Sequence, residues 1–139
     1  MKVEISGAVP RFPRREIERF VERALRASLA LTGRAAAPGL SIAFVGDATM
    51  TALNRRYRGR RGTTDVLTFE PDGRDLPGEI VISLDRARRQ AREEGHSLAT
   101  EVRYLLVHGI LHALGHDHET DDGEMDALEL QVRENVGLE

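Results

Sequence analysis

Four of the five histidines in this 139-residue chain lie within the eleven residues 108–118. His108 and His112 are four residues apart, a spacing that places two side chains on one face of a helix, about 5–6 Å apart between Cβ atoms. Two imidazoles in that position can bind one tetrahedral Zn²⁺ at about 2.0–2.1 Å each. Because burying two histidines in an otherwise apolar helix costs desolvation, the pair indicates a metal site.

The residues after this pair offer a third ligand. Gly115 can adopt the left-handed conformation that ends a helix, and His118 can return over the helix end. We therefore predict that His108, His112 and His118 bind one Zn²⁺ per chain and leave a fourth position for water, as in catalytic zinc sites. His116 continues the four-residue spacing from His112 and is the alternative third ligand.

The spacing of the three histidines matches that of the metzincin peptidases, in which a glutamate directly after the first histidine is the general base. Gly109 occupies that position here, so a peptidase of this kind lacks its base, and a zinc peptidase becomes the second hypothesis. Asp117 and Glu119 are nearby carboxylates that can act as a base or orient an imidazole. His96, outside the cluster, is predicted to be an exposed loop residue.

The elements that position the histidines follow an α+β pattern, in which β-rich runs and apolar residues at helical spacing alternate. The predicted strands are 3–6, 40–45, 65–69 and 80–84, and the predicted helices are 14–31, 47–57, 86–94, 97–114 and 122–135. Asp47, Asp85 and Ser97 are the expected N-caps of the second, third and fourth helices. We expect one domain, 1–139, with a small four-stranded mixed sheet packed with about five helices, and a buried central helix that carries the metal-binding histidines.

Composition is that of an ordinary globular protein, with 40% apolar and 31% charged residues. No apolar run approaches the roughly 20 residues that span a bilayer, and the N-terminus lacks the apolar segment of a signal peptide. The chain has no cysteine, so a transition-metal site must use histidine and carboxylate ligands. We therefore expect a cytoplasmic protein with no membrane partner.

Charge is distributed unevenly along the chain. The net charge of −3 argues against general affinity for nucleic acid. Residues 1–65 nevertheless carry 13 Lys and Arg against 6 Asp and Glu, whereas residues 66–139 carry 7 against 17. This asymmetry indicates either a polyanion-binding face or helix surfaces that are simply solvated by charge, and charge alone favours the second interpretation.

Four segments together resemble the YbeY family of bacterial ribosomal RNA maturation factors. The histidine segment 108–118, HGILHALGHDH, is similar to the family signature HGxLHLxGYDH, with His116 where tyrosine is usual. The other three segments are LNRRYRG at 53–59, TDVLTF at 64–69 and GEIVIS at 78–83. The resemblance covers nearly the whole chain in length, element order and spacing.

This resemblance implies a metal-dependent endoribonuclease that is specific for single strands and acts in rRNA processing. The implied process is maturation of the 3′ end of 16S rRNA, with a part in ribosome quality control. It also implies Zn²⁺ on His108, His112 and His118, a functional role for Arg58, and rRNA and the small ribosomal subunit as partners. DNA is not expected as a partner.

A run of arginines fits RNA as the ligand, because guanidinium groups pair with phosphate oxygens and an aromatic ring can stack on an unpaired base. Arg58 would stabilise the charge of the transition state. The candidate RNA-binding residues are Arg55, Arg56, Tyr57, Arg58, Arg60 and Arg61. The same segment can instead be a solvated helix end with Tyr57 packed inward.

Two questions about activity stay open at the level of sequence. The first is the nucleophile, which is either water or the 2′-hydroxyl of the RNA itself. The second is whether the protein is an enzyme at all, because a third hypothesis, besides the ribonuclease and the peptidase, is a non-catalytic ribosome-assembly factor in which zinc is structural.

Overall fold

A computed structural model describes residues 2–7, 14–33, 39–58, 66–69, 78–114 and 123–138 of the chain. Within these residues the strands are β1 (Lys2–Gly7), β2 (Gly39–Val45), β3 (Val66–Phe69) and β4 (Gly78–Ser83). The helices are α1 (Arg14–Thr32), α2 (Asp47–Arg58), α3 (Leu84–Glu94), α4 (Leu98–Ala113) and α5 (Glu124–Asn135). The expected α+β class is confirmed, with five helices in the described part of the chain.

The strands form one sheet in the order β1-β2-β4-β3. β2 is parallel to both β1 and β4, whereas β3 pairs antiparallel with β4 at the edge. Because successive side chains of a strand point to opposite faces, Ile42 and Phe44 of β2 join the large core with α1, α4 and α5. Ala43 and Val45 contact the smaller cluster that contains Met50 of α2. The sheet therefore separates α2 from α4.

α4 is the central helix of the larger layer, as its nearly continuous apolar sequence predicts. It contacts α1, α3, α5 and the strands β3 and β4. Its buried residues are Glu101, Val102, Leu105, Leu106, Val107, Gly109, Ile110, Leu111 and Ala113. Ser97 caps its N-terminus by accepting a hydrogen bond from the Thr100 N–H at 3.1 Å, which confirms the expected cap.

The start of α3 differs from the prediction. Leu84 was expected to end the fourth strand, with Asp85 as the helix cap, but Leu84 is the first residue of α3. Ser83 is the N-cap, because its extended backbone lets the side-chain oxygen accept a hydrogen bond from the Arg86 N–H at 3.2 Å. The Asp85 carboxylate instead accepts a hydrogen bond from the Asp47 N–H at 2.8 Å. Asp47 is the first residue of α2 and not the residue before it.

Several sequence expectations lie outside the described residues. These include the start of the third strand at residue 65 and the helix end at Gly115. The last helix, expected from about residue 122, begins at Glu124, because Gly123 before it has a left-handed backbone with φ of 98°. The single domain over 1–139 stays a prediction. In the described ranges, no helix is both long and apolar enough to cross a membrane.

Candidate metal centre

The two histidines of α4 lie together, as their spacing predicts. The Nε2 atoms of His108 and His112 are 3.0 Å apart, and the ring centroids are 4.5 Å apart at an interplanar angle of 70°. The His108 side chain is 26% exposed, so the pair lies at the edge of the core and can be reached from solvent. One small cation can contact both nitrogens.

Glu129 of α5 fixes the orientation of His108. A carboxylate oxygen of Glu129 forms a hydrogen bond with His108 Nδ1. Because a carboxylate accepts hydrogen bonds and does not donate them, the imidazole donates from Nδ1 and keeps its lone pair on Nε2. The second oxygen of Glu129 accepts from an Arg133 NH2 group at 3.2 Å. This is the carboxylate–histidine arrangement that orients metal ligands in proteins.

Sequence reasoning missed Glu129, although the helix pattern contained a signal. The buried residues of α5 are Met125, Glu129 and Val132. Glu129 therefore lies on the apolar stripe of the helix, four residues after Met125 and three before Val132, where a charged side chain needs a partner. A carboxylate in the stripe that faces a histidine helix is a recognisable candidate for an orienting residue.

A row of polar and aromatic contacts continues along the seam between α4 and α5. The Arg133 guanidinium lies 4.5 Å from the centroid of the Tyr104 ring, and that ring meets the His96 ring edge-on at 5.4 Å. His96 Nε2 is 2.6 Å from an Oε1 of Glu101, which is buried at 5% exposure. His96 lies in the bend between α3 and α4, as expected of a loop residue, but the expected exposure is wrong, because a buried carboxylate and an aromatic ring contact its side chain.

Gly109 marks a close approach between α4 and the sheet. A Cβ atom at this position would lie 2.8 Å from Cγ2 of Ile80 in β4, which is closer than carbon atoms pack. The position that carries the catalytic glutamate in metzincins therefore faces a packed strand, and a side chain there would have to displace Ile80. This is the physical reason for the glycine next to His108, and it removes the support for a peptidase of the metzincin type.

The arginine segment begins on α2, on the other face of the sheet. Arg55 and Arg56 are exposed near the end of that helix. The side chains of Tyr57 and Arg58 lie outside the described part of the structure, as do Arg60, Arg61, His116, Asp117, His118 and Glu119. Within the described residues, no group of three potential metal ligands comes together. The roles of these residues therefore stay predictions.

A polar cluster fixes the start of α2 to the start of α3. The Ser83 hydroxyl donates a hydrogen bond to Asp47 Oδ1 at 2.8 Å, and an Arg89 NH2 group lies 2.8 Å from Asp47 Oδ2. The hydrogen bond from Ser83, followed by the interaction with Arg89, lowers the pKa of the Asp47 carboxyl below its ordinary value. The cluster joins the carboxyl ends of β2 and β4, and so sets the direction in which α2 leaves the sheet.

Fold and site together define a class of protein. It is an α+β protein with a candidate centre for a divalent transition metal at the α4–α5 seam, where one imidazole is oriented by a carboxylate. The model of the family described as Endoribonuclease YbeY matches residues 4–137. The chain therefore belongs to the YbeY family, and the resemblance found in its motifs is confirmed.

Individual relatives agree with this assignment. An Endoribonuclease YbeY from Moorella thermoacetica is 41% identical over 138 residues, covering 88% of each chain. One from Solibacter usitatus is 50% identical over 95 residues, which span 68% of this chain and 64% of that protein. A solution structure of a protein from Thermotoga maritima matches with a TM-score of 0.65 at 28% identity, covering 96% of this chain and 88% of that one.

Proposed function

We propose that this chain is a zinc-dependent endoribonuclease that cleaves single-stranded RNA. The observation that carries the proposal is the histidine pair of α4, with its Nε2 atoms 3.0 Å apart and the Glu129 carboxylate on Nδ1 of one ring. Membership of the YbeY family, in which relatives carry the name endoribonuclease, supports the chemistry. No observation favours the peptidase or the non-catalytic assembly factor.

The donor set fits zinc. Two ligands at about 2.0–2.1 Å from a tetrahedral zinc ion lie about 3.3–3.4 Å from each other, close to the 3.0 Å between the two Nε2 atoms. Imidazole nitrogen is a preferred ligand of this metal, and the oriented tautomer of His108 provides a lone pair for it. His118 is the proposed third ligand, and His116 is the alternative.

Zinc at this position would supply Lewis-acid polarisation of a phosphoryl oxygen and a bound water of lowered pKa. The protein's own groups orient and stabilise. Glu129 holds the His108 ring in one tautomer, and Arg133 holds Glu129. Arg58 is proposed to pair with the charge that develops on the phosphate, since a guanidinium can donate two parallel hydrogen bonds to phosphate oxygens.

The biological substrate is proposed to be ribosomal RNA, with maturation of the 3′ end of 16S rRNA on the small ribosomal subunit, in the cytoplasm, as the process. Family membership supports this assignment. The arginines at the end of α2 support it further, because Arg55 and Arg56 are exposed and cationic side chains neutralise the phosphates of nucleic acids.

The experiment is cleavage of a labelled single-stranded RNA by zinc-loaded protein, compared with protein treated with a chelator and with His112→Ala. We expect cleavage by the zinc-loaded wild type alone. The chemistry of the new ends identifies the nucleophile, because a 5′-phosphate product indicates water and a 2′,3′-cyclic phosphate indicates the 2′-hydroxyl.

A bound-metal measurement completes the test. If wild-type protein with one zinc ion per chain leaves single-stranded RNA intact, the proposed activity is wrong. Cleavage that persists equally in His112→Ala would show either that a contaminant cuts the RNA or that the centre is not the active site. Hydrolysis of an unfolded protein substrate by the same preparation would favour the peptidase.

A further inference from the structure

A groove of about 360 Å³ lies between α1 and α4, and its lining does not include His108, His112 or Glu129, the described residues of the candidate metal centre. Four arginines line it: Arg19, Arg23 and Arg26 of α1, and Arg103 of α4. The three on α1 follow the spacing i, i+4, i+7, so they lie along one face of the helix. They are exposed, and Arg103 is partly exposed.

No carboxylate of the described residues pairs with any of these four guanidinium groups. Ion pairs in the described part of the chain lie within α3, between α2 and α3, between His96 and α4, between α4 and α5, and within α5. None of them includes an arginine of the groove. Glu16 and Glu22 also line the groove, but neither carboxylate is within ion-pair distance of these arginines. Among the described residues, the groove therefore holds four positive charges against two negative ones, which attracts an anion with several charges.

An aromatic ring arranges two of the cations in advance. Phe20 is 3% exposed, and its ring lies 5.9 Å from the Arg23 guanidinium and 5.7 Å from that of Arg103. One side chain comes from each wall of the groove, and both lie over the same ring. Cation–π contacts of this kind restrict long side chains that would otherwise lose rotamer freedom when a ligand binds.

We infer that this groove is a second RNA-binding surface, which binds the phosphate backbone of the single-stranded substrate outside the catalytic centre. The inference rests on the proposed function, which makes RNA the ligand. A row of phosphates matches a row of guanidinium groups, because each planar group can donate two hydrogen bonds to one phosphate. The buried ring of Phe20 is not available for base stacking, so the groove binds backbone and does not read sequence.

The position of the groove predicts a dependence on RNA length. Arg103 and His108 are five residues apart on α4, about 7.5 Å along the axis, and about 140° apart around it. The groove and the histidine pair therefore lie on different sides of one helix. An RNA of a few nucleotides in the centre does not reach the groove, whereas a longer one can contact both.

The test compares two double variants with the same loss of charge. Arg19→Gln with Arg23→Gln removes two cations of the groove, and glutamine keeps the helix propensity. Arg88→Gln with Arg92→Gln removes two exposed arginines at the same four-residue spacing on α3, and is the control. Binding of a labelled 20-nucleotide single-stranded RNA to the full chain is measured in a chelator, which prevents cleavage, at several salt concentrations.

We expect the groove variant to bind about tenfold more weakly than wild type at low salt, with the slope of log K against log salt reduced by about 1.4 for two lost phosphate contacts. The control is expected to stay close to wild type. Equal losses in both double variants would indicate a general effect of net charge and overturn the inference, as would no loss in either. If polyglutamate of equal charge competes as well as RNA, the groove binds acidic chains at large and the assignment to RNA is wrong.

Cleavage separates this inference from the proposed function. With zinc bound, the groove variant should cleave a short oligonucleotide at the wild-type rate and show a raised KM only for the long RNA. An inactive wild type would contradict the proposed function, while the binding measurements would still decide the role of the groove. An equal change in KM for short and long RNA would place the groove arginines at the catalytic centre and overturn the inference.

Discussion

Helix α4 carries two polar regions that differ in burial and in how their charges are compensated. Near its C-terminal end, His108 and His112 lie beside Glu129, which is 9% exposed, and the carboxylate has a partner on each oxygen. Near its N-terminal end, Arg103 faces an open groove, and no carboxylate of the described residues lies within ion-pair distance of the groove arginines.

The difference shows that burial determines whether a polar group has a fixed partner inside the protein or can bind a ligand from solution. A buried charge must be compensated inside the fold. The hydrogen bonds of Glu129 at the α4–α5 seam therefore fix the geometry there, and the loss of one hydrogen-bonding atom should disturb it. The cations of the groove are compensated by water and salt, so they can exchange that environment for an anion. Substitutions in the seam should therefore have large effects on metal binding that do not depend on salt. Substitutions in the groove should have graded effects on RNA binding that do depend on salt.

The largest effect is expected from Glu129→Gln. The variant keeps the size of the side chain but removes the negative charge that orients His108. We expect zinc to bind about 10- to 100-fold more weakly, as measured by competition with a chromophoric chelator. The absorption spectrum of the cobalt-substituted protein should also change, because the ligand geometry relaxes.

Glu134→Gln, five residues later on the exposed face of α5, controls for the loss of one carboxylate and should bind zinc as wild type does. Thermal unfolding of the metal-free proteins separates orientation from stability. A Glu129→Gln variant that is less stable without metal but retains wild-type zinc affinity would show that the contact is structural only.

Gly109→Ala tests the close packing in the histidine half of α4. At an open helical position, alanine is more favourable than glycine by about 1 kcal/mol. Here the added Cβ would meet Ile80, and we expect the free energy of unfolding to fall by about 1–3 kcal/mol, as for other overpacked cores. The measurement is urea unfolding followed by circular dichroism.

A double-mutant cycle with Ile80→Ala identifies the cause of that loss. The second substitution removes the side-chain atoms that the new Cβ would approach, so it should cost less in the Gly109→Ala background than in wild type. Strict additivity of the two changes would mean that the contact with Ile80 is not what requires glycine. The exposed Arg19→Gln, in the groove, should leave unfolding unchanged within about 0.5 kcal/mol.

The same contrast explains what could be predicted from the sequence. The central helix, the pairing of His108 with His112 and the cap at Ser97 depend on local spacing, and the structure contains all three. The start of α3 was mistaken because Ser83 and Asp85 are both good capping residues. The structure decides between them, because Ser83 accepts the hydrogen bond from the Arg86 N–H and Asp85 instead contacts Asp47, 38 residues away in sequence.

The spacing of residues along the sequence does not predict contacts between separate elements of the fold. Glu129 meets His108 across 21 residues, and His96, in the turn before α4, meets Glu101 and the Tyr104 ring. The groove likewise needs Arg103 to lie beside α1. An arginine stripe on one helix is usually solvated surface, and the second wall from α4 is what makes it a groove.

A smaller effect is expected from Phe20→Leu, which tests whether the ring arranges the arginines of the groove. Leucine keeps the site apolar but removes the face over which Arg23 and Arg103 lie. A cation–π contact at an exposed site contributes about 0.5–1 kcal/mol, so we expect about two- to fivefold weaker binding of the 20-nucleotide RNA. Phe44→Leu, at a core position that is 1% exposed, is the control for lost packing. RNA affinity that falls equally in both variants would refute a role for the Phe20 ring.

The smallest effect is expected at Asp47, whose burial is intermediate between the two regions and which is hydrogen-bonded to Ser83 and paired with Arg89. Because its pKa is lowered in the folded state, the unfolded chain binds a proton more readily. The stability from this carboxylate is therefore complete above its ordinary pKa of 3.8 and is lost as the pH falls through the lower folded value. Asp47→Asn should be less stable than wild type by about 0.5 kcal/mol or less at pH 6, and the two proteins should converge toward pH 3 in urea titrations.

Asp126→Asn, on the exposed side of α5, controls for the loss of one carboxylate. A difference for Asp47→Asn that stays constant from pH 6 to pH 3 would mean that the side-chain shape, and not its charge, connects α2 to α3.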